Sequence, residues 1–195
     1  KYPEMYGVVG LHPENISEDF DYTIFDNLDK KIVGIGEIGL DYHYTKDNKD
    51  KQIEIFERQL DIAEKLNLPV VIHSREAAGD TLEILKRHHN FGVIHSFSGS
   101  LEMAKEYIKL GFVLGVNGVV TFKNCNLSDT LKNIDVNSII LETDSPYLTP
   151  VPFRGTQNNP AKMMNTAKFV ADIYGVSLSE LAKITNQNIK RIFDI

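Results

Sequence analysis

The chain has 195 residues, 42% of them hydrophobic and 25% charged, enough for one core of ordinary size in a single globular domain. A formal charge of −6 and a pI near 5.5 exclude a generally basic surface that coats nucleic acid, and leave open a local site where metal ions supply the positive charge. Cys125 is the only cysteine, which excludes an intramolecular disulfide and suits a reducing, cytoplasmic setting, and no apolar run reaches membrane-spanning length.

Met5 to Leu11 is an apolar run that reads as a buried strand, closed by the His12-Pro13 turn. Ser17 is a candidate N-cap for a helix with Phe20, Ile24, Phe25 and Leu28 on one side, ending near Lys30 and Lys31. The run from Lys31 to Ile35 is β-branched and too short for a helix, and its tip places the carboxylate of Glu37 among Gly34, Gly36 and Gly39. Ile53, Phe56, Leu60, Ala63 and Leu66 then recur at steps of three or four, the strongest helical pattern in the chain, ended by Pro69. Val70 to Ile72 forms a strand closing on His73-Ser74-Arg75. A helix through Ala78, Leu82 and Leu85 leads to Gly92-Val93-Ile94, which closes on His95-Ser96.

Leu101, Ala104 and Ile108 mark the next helix, stopped by Gly111, and Phe112 to Val116 is a strand ending at Asn117. A weaker helix around Leu127 and Leu131 precedes Ser138 to Leu141, whose tip is Glu142-Thr143-Asp144. Asn159-Pro160 opens a helix running to Gly175, and Ser177 with Glu180 fits a capping box for the last one. The expected organisation is therefore strand then helix, six times, which implies a parallel sheet covered on both faces.

Ligands bind such folds where the strand C-termini point. The tips here carry His12, Glu37, His73, His95, Asn117 and Asp144, and tips of parallel strands converge, so a shared metal site accounts for the set. Imidazole and carboxylate are the nitrogen and oxygen donors of catalytic Zn, Mn or similar ions. His73 and His95 each come directly after an apolar strand and are read as ligands with Glu37 and Asp144. His12 stands between ligand, phosphate contact and packing, Asn117 reads as a turn residue, and Arg75 and Arg154 are candidate phosphate clamps. His43, His88 and His89 sit in loop or helix-end settings and read as structural.

Four ordered motifs, Gly36-Glu37-Ile38-Gly39-Leu40-Asp41-Tyr42, Val71-Ile72-His73-Ser74-Arg75, Ile94-His95-Ser96-Phe97-Ser98-Gly99 and Leu141-Glu142-Thr143-Asp144-Ser145-Pro146-Tyr147-Leu148, resemble the signatures of the TatD family of metal-dependent deoxyribonucleases. The similarity runs over the whole chain. It implies a TIM-barrel hydrolase of the amidohydrolase-like group that binds one or two divalent ions (Mg, Mn or Zn) and cleaves DNA as its substrate, often as a 3′ to 5′ exonuclease; no membrane association is expected and no stable protein partner is implied. Two departures stand out. Family members begin with a strand carrying His-x-His, which is missing here, so the chain is expected to hold six of the eight barrel strands and to lack the first two βα units. After the last strand, Arg154-Gly155-Thr156-Gln157-Asn158-Asn159-Pro160 keeps the frame of a more basic family segment with fewer cations.

In the expected mechanism Glu37 sits between the ions, His73 and His95 hold one of them, and Asp144 orients and deprotonates the attacking water. Ser74, Ser96 and Thr143 are candidates to orient the ligands. The alternatives are an amidohydrolase acting on an amide, ester or lactone, and a noncatalytic remnant.

Overall fold

In a computed structural model, residues 3–16, 20–43 and 47–195 are described. Six strands appear in chain order: β1 (Gly7–Val9), β2 (Ile32–Asp41), β3 (Val70–Arg75), β4 (Gly92–Ile94), β5 (Phe112–Val116) and β6 (Ile139–Leu141). The helices are α1 (Lys49–Leu66), α2 (Ala78–Leu85), α3 (Leu101–Lys109), α4 (Leu127–Leu131), α5 (Met163–Tyr174) and α6 (Leu178–Phe193). None of the described helices is long and apolar enough to cross a membrane. The chain groups into two compact units, one up to Val93 and one from Ile94 to Phe193, so that the division falls inside β4.

In the first unit β1, β2 and β3 pair in parallel in that order. Ile35, Ile38 and Leu40 of β2 and Val70 and Ile72 of β3 are fully buried with Leu60 and Ala63 of α1. An apolar side chain removed from water so completely contributes about 1.5–3 kcal/mol, and α1 therefore anchors the sheet. Its buried stripe is Gln52, Ile55, Phe56, Gln59, Leu60 and Ala63, whereas Leu66, expected on that stripe, is exposed. Asn67 ends the helix in the left-handed conformation (φ 51°), its N–H donating back to Ala63 and Glu64.

Among the described residues, the helix expected between β1 and β2 is not formed. The described residues there hold only 3₁₀ turns, Pro13–Asn15 and Tyr22–Phe25. Short acids take over the local backbone: Asp21 accepts from Thr23 N–H at 2.9 Å and Asp29 from Lys31 N–H at 2.8 Å. Such side-chain turns compete with helical bonding, and few residues remain before β2 begins. The N-cap expected at Ser17 lies outside the described residues.

A second correction concerns Glu37. It does not cap a strand but sits inside one, because β2 continues to Asp41. Gly36 pairs with Val71 and Ile38 with Ile72, so Glu37 occupies a register irregularity, a place where a bulge re-aims a side chain. Gly39 makes the continuation possible: it has φ 141°, and a Cβ there would lie 2.0 Å from the His73 carbonyl oxygen.

The second unit pairs β5 with β6 in parallel, and buries Val113, Leu114, Ile139, Val170 and Leu181. Asn188 of α6, itself buried, donates to the Ile139 carbonyl at 2.8 Å and ties the last helix to β6. The Ser177 hydroxyl accepts from Glu180 N–H at 3.2 Å, the expected N-cap of α6.

Candidate metal centre and catalytic groups

In the first unit three sequence-predicted residues meet. His12 lies just beyond β1 and begins a 3₁₀ turn, its Nδ1 accepting from Glu14 N–H at 3.2 Å, which leaves Nε2 facing Glu37 Oε1 at 3.7 Å. His73, on β3, places Nδ1 2.8 Å from the same oxygen and Nε2 3.0 Å from Asp41 Oδ2. The two imidazoles pack edge to face with centroids 4.6 Å apart. One donor atom from each of His12, Glu37 and His73 falls within 4.8 Å of the others.

These residues fit a divalent ion. Donors about 2.1 Å from a tetrahedral ion stand about 3.4 Å from one another, and the 2.8 and 3.7 Å separations bracket that value. Mixed imidazole and carboxylate donors suit Zn or Mn. Burial works to lower the His73 pKa, but hydrogen bonds and charge from Glu37 and Asp41 outweigh it and hold the pKa above its ordinary value. A cation placed between His73 Nδ1 and Glu37 Oε1 would take the place of their 2.8 Å hydrogen bond. Asp41, 1% exposed, would keep its hold on the other nitrogen and fix the ring's tautomer.

In the second unit His95 comes directly after β4. Its Nδ1 lies 2.8 Å from Glu142 Oε2, and Glu142 Oε1 accepts from Ser96 N–H at 2.5 Å. Nε2 is left 3.7 Å from Asp144 Oδ1. Room for the Glu142 carboxylate comes from Gly115, where a Cβ would lie 2.6 Å from Glu142 Cδ. Asn117 is the turn residue expected: its Oδ1 accepts from Val119 N–H at 3.0 Å, while its Nδ2 donates to Ser96 Oγ at 2.7 Å.

Asp41 and Glu142 are the groups that sequence reasoning missed. Both stand in motifs already singled out, Asp41 on β2 four residues after Glu37 and Glu142 just beyond β6, two residues before Asp144. Of the hydroxyls expected to orient ligands, Ser74 bonds Thr81 of α2 at 2.9 Å and Thr143 accepts from Ser145 at 3.1 Å. Carboxylates do that orienting instead. Arg75 is exposed at the end of β3, and Arg154, also exposed, lies 3.8 Å over the Phe122 ring and donates to the Thr149 carbonyl. His43 pairs with Glu76 at 2.5 Å, and His88 lies 3.4 Å from Glu64.

The sequence profile of the family described as "TatD related DNase" matches residues 1–194. The chain belongs to the TatD family. Among its TatD relatives, the uncharacterized metal-dependent hydrolase YabD of Bacillus subtilis is 39% identical over 203 residues, spanning 100% of this chain and 80% of that protein. The uncharacterized metal-dependent hydrolase YcfH of Escherichia coli is 39% identical over 192 residues, spanning 95% of this chain and 72% of its own. The crystal structure of YjjV, a TatD homologue from Escherichia coli, superposes with a TM-score of 0.91 at 29% identity, covering 100% of this chain and 78% of that one. That match gives the chain the TIM-barrel type of α/β fold expected of a TatD protein.

Proposed function

We propose that this TatD protein is a metal-dependent hydrolase of DNA phosphodiester bonds that removes nucleotides from a 3′ end. The observation that carries the reading is the grouping of His12, Glu37 and His73, oxygen and nitrogen donors within 4.8 Å of one another. A bound divalent ion supplies positive charge for the phosphoryl oxygens and lowers the pKa of a water molecule. Glu37 and His73 would hold it, and Asp41, 3.0 Å from His73 Nε2, would keep the His73 ring in place. His12 would be the third donor through Nε2, which places its ring proton on Nδ1 in exchange for the 3.2 Å bond from Glu14 N–H. Within the second unit, Glu142 steadies His95 at Nδ1, so His95 Nε2 would be that unit's donor to a metal and Asp144 its acceptor for the proton of a water molecule. Arg75 and Arg154 are assigned to the phosphate backbone, where an acidic protein needs local cations.

The test uses the chain loaded with Mg, Mn or Zn and oligonucleotides labelled at one end or the other. Mononucleotide release from the 3′ end, lost in His73→Ala and Asp144→Asn, is expected. Turnover of an ester or lactone panel with no cut in any oligonucleotide would replace the reading with that of an amidohydrolase.

A further inference from the structure

Helix α1 buries two glutamines on the face it turns to the sheet. Gln52 is 1% exposed and Gln59 fully buried, seven residues and so about 10.5 Å apart along one side of the helix. A buried amide is costly unless its polar atoms are matched, and an apolar residue of similar volume would fill either place without that demand. Both amides are matched, and in the same way.

Gln59 Oε1 accepts from Leu11 N–H at 2.7 Å, and its Nε2 donates to the Leu11 carbonyl at 3.2 Å. Gln52 Oε1 accepts from Asp41 N–H at 2.8 Å, and its Nε2 donates to the Asp41 carbonyl at 2.8 Å and to Asn48 Oδ1 at 2.9 Å. Each side chain thus supplies the donor and acceptor that a neighbouring strand would offer. The places are telling: Leu11 lies beyond the end of β1 and directly precedes His12, and Asp41 is the last residue of β2 and bonds His73.

We infer that Gln52 and Gln59 are positioning residues, a two-point brace by which α1 sets the strand ends carrying His12 and Asp41 and so tunes metal binding by the His12, Glu37 and His73 group. The inference rests on the proposed metal-binding role of that group. Both glutamines bond the backbone, Gln59 at Leu11 and Gln52 at Asp41. Each acts through the backbone it grips.

The experiment measures Mn²⁺ affinity by calorimetry well below the melting temperature, in Gln59→Met, Gln52→Met and the control Ile55→Val. Ile55 is buried on the same helix and makes none of the brace bonds, so its shortening costs stability alone. Each glutamine variant is expected to bind Mn²⁺ about tenfold more weakly, with faster amide exchange at Leu11 or Asp41, while Ile55→Val binds as the wild type does. Should a methionine variant not fold, glutamate at the same position keeps the acceptor and removes the donor, and the same weakening is expected. Wild-type affinity in both glutamine variants, or equal weakening in Ile55→Val, overturns the brace while leaving the metal site standing. Failure of the wild type to bind Mn²⁺ or Zn²⁺ overturns both.

Discussion

Gly115→Ala is the substitution most informative about the second unit. The added Cβ would stand 2.6 Å from Glu142 Cδ and Oε1 and 2.7 Å from Oε2, inside any permitted contact. Glu142 is held at its backbone, where its N–H donates to the Val116 carbonyl at 3.1 Å, so its side chain has to rotate away. That breaks the bonds to His95 Nδ1 and Ser96 N–H. Hydrogen bonds to a charged group contribute about 1.5–3 kcal/mol each, and the backbone gain of alanine over glycine returns about 0.5–1 kcal/mol. With partial relaxation, a net loss of about 2–4 kcal/mol is expected in urea unfolding, together with a drop in metal-dependent turnover of about 10- to 100-fold. The decisive assay is a double-mutant cycle with Glu142→Ala. Once the carboxylate is gone that crowding is relieved, so Gly115→Ala should then cost nothing and leave only the backbone gain of about 0.5–1 kcal/mol. An undiminished cost in that background, or a single mutant as stable and active as wild type, would refute the crowding argument.

Three further outcomes are expected. Asp41→Asn keeps the shape at that position, but its amide has one acceptor atom where Asp41 accepts from both His43 N–H and His73; a loss of about 1–3 kcal/mol on unfolding and weaker Mn²⁺ binding should result. In chelator-treated protein the His73 pKa is raised on folding, so the stabilisation from its two carboxylates is complete below about pH 6.5 and lost as pH rises through the elevated folded value. Melting temperatures from about pH 5.5 upward should fall more steeply in wild type than in His73→Gln, and parallel curves would contradict this. Leu60→Ala should cost about 2–5 kcal/mol in urea unfolding, since Leu60 is fully buried between α1 and the sheet, and a cost under about 1 kcal/mol would show that α1 is not the anchor described.

The alternation of strand and helix was legible because apolar β-branched runs such as Val70 to Ile72 and the stepped pattern around Phe56 and Leu60 have few other readings. The connection after β1 was not, because Phe20, Ile24 and Phe25 imitate a helical face while Asp21 and Asp29 draw the backbone into turns. His73 and Glu37 could be paired because each stands at or near the C-terminal side of an apolar run, where parallel strands converge. Glu37 itself was misplaced by four residues relative to the strand end, because an irregular register leaves no mark in the order of residue types. Gln52 and Gln59 escaped for a related reason: polarity says outside, and only the unmatched strand ends say why an amide belongs within. Asp41 and Glu142 stood in plain view beside residues already chosen, and their bonds to His73 and His95 depend on side-chain direction, which spacing only hints at.

Because Leu11 and Asp41 are gripped by one rigid rod, thermal displacement of α1 along its axis carries both grips in step. The interval between the two is then set by the hydrogen-bonded geometry of the helix, and such drift would shift them together without prising them apart. A centre held this way can share an otherwise breathing scaffold and still keep its internal dimensions.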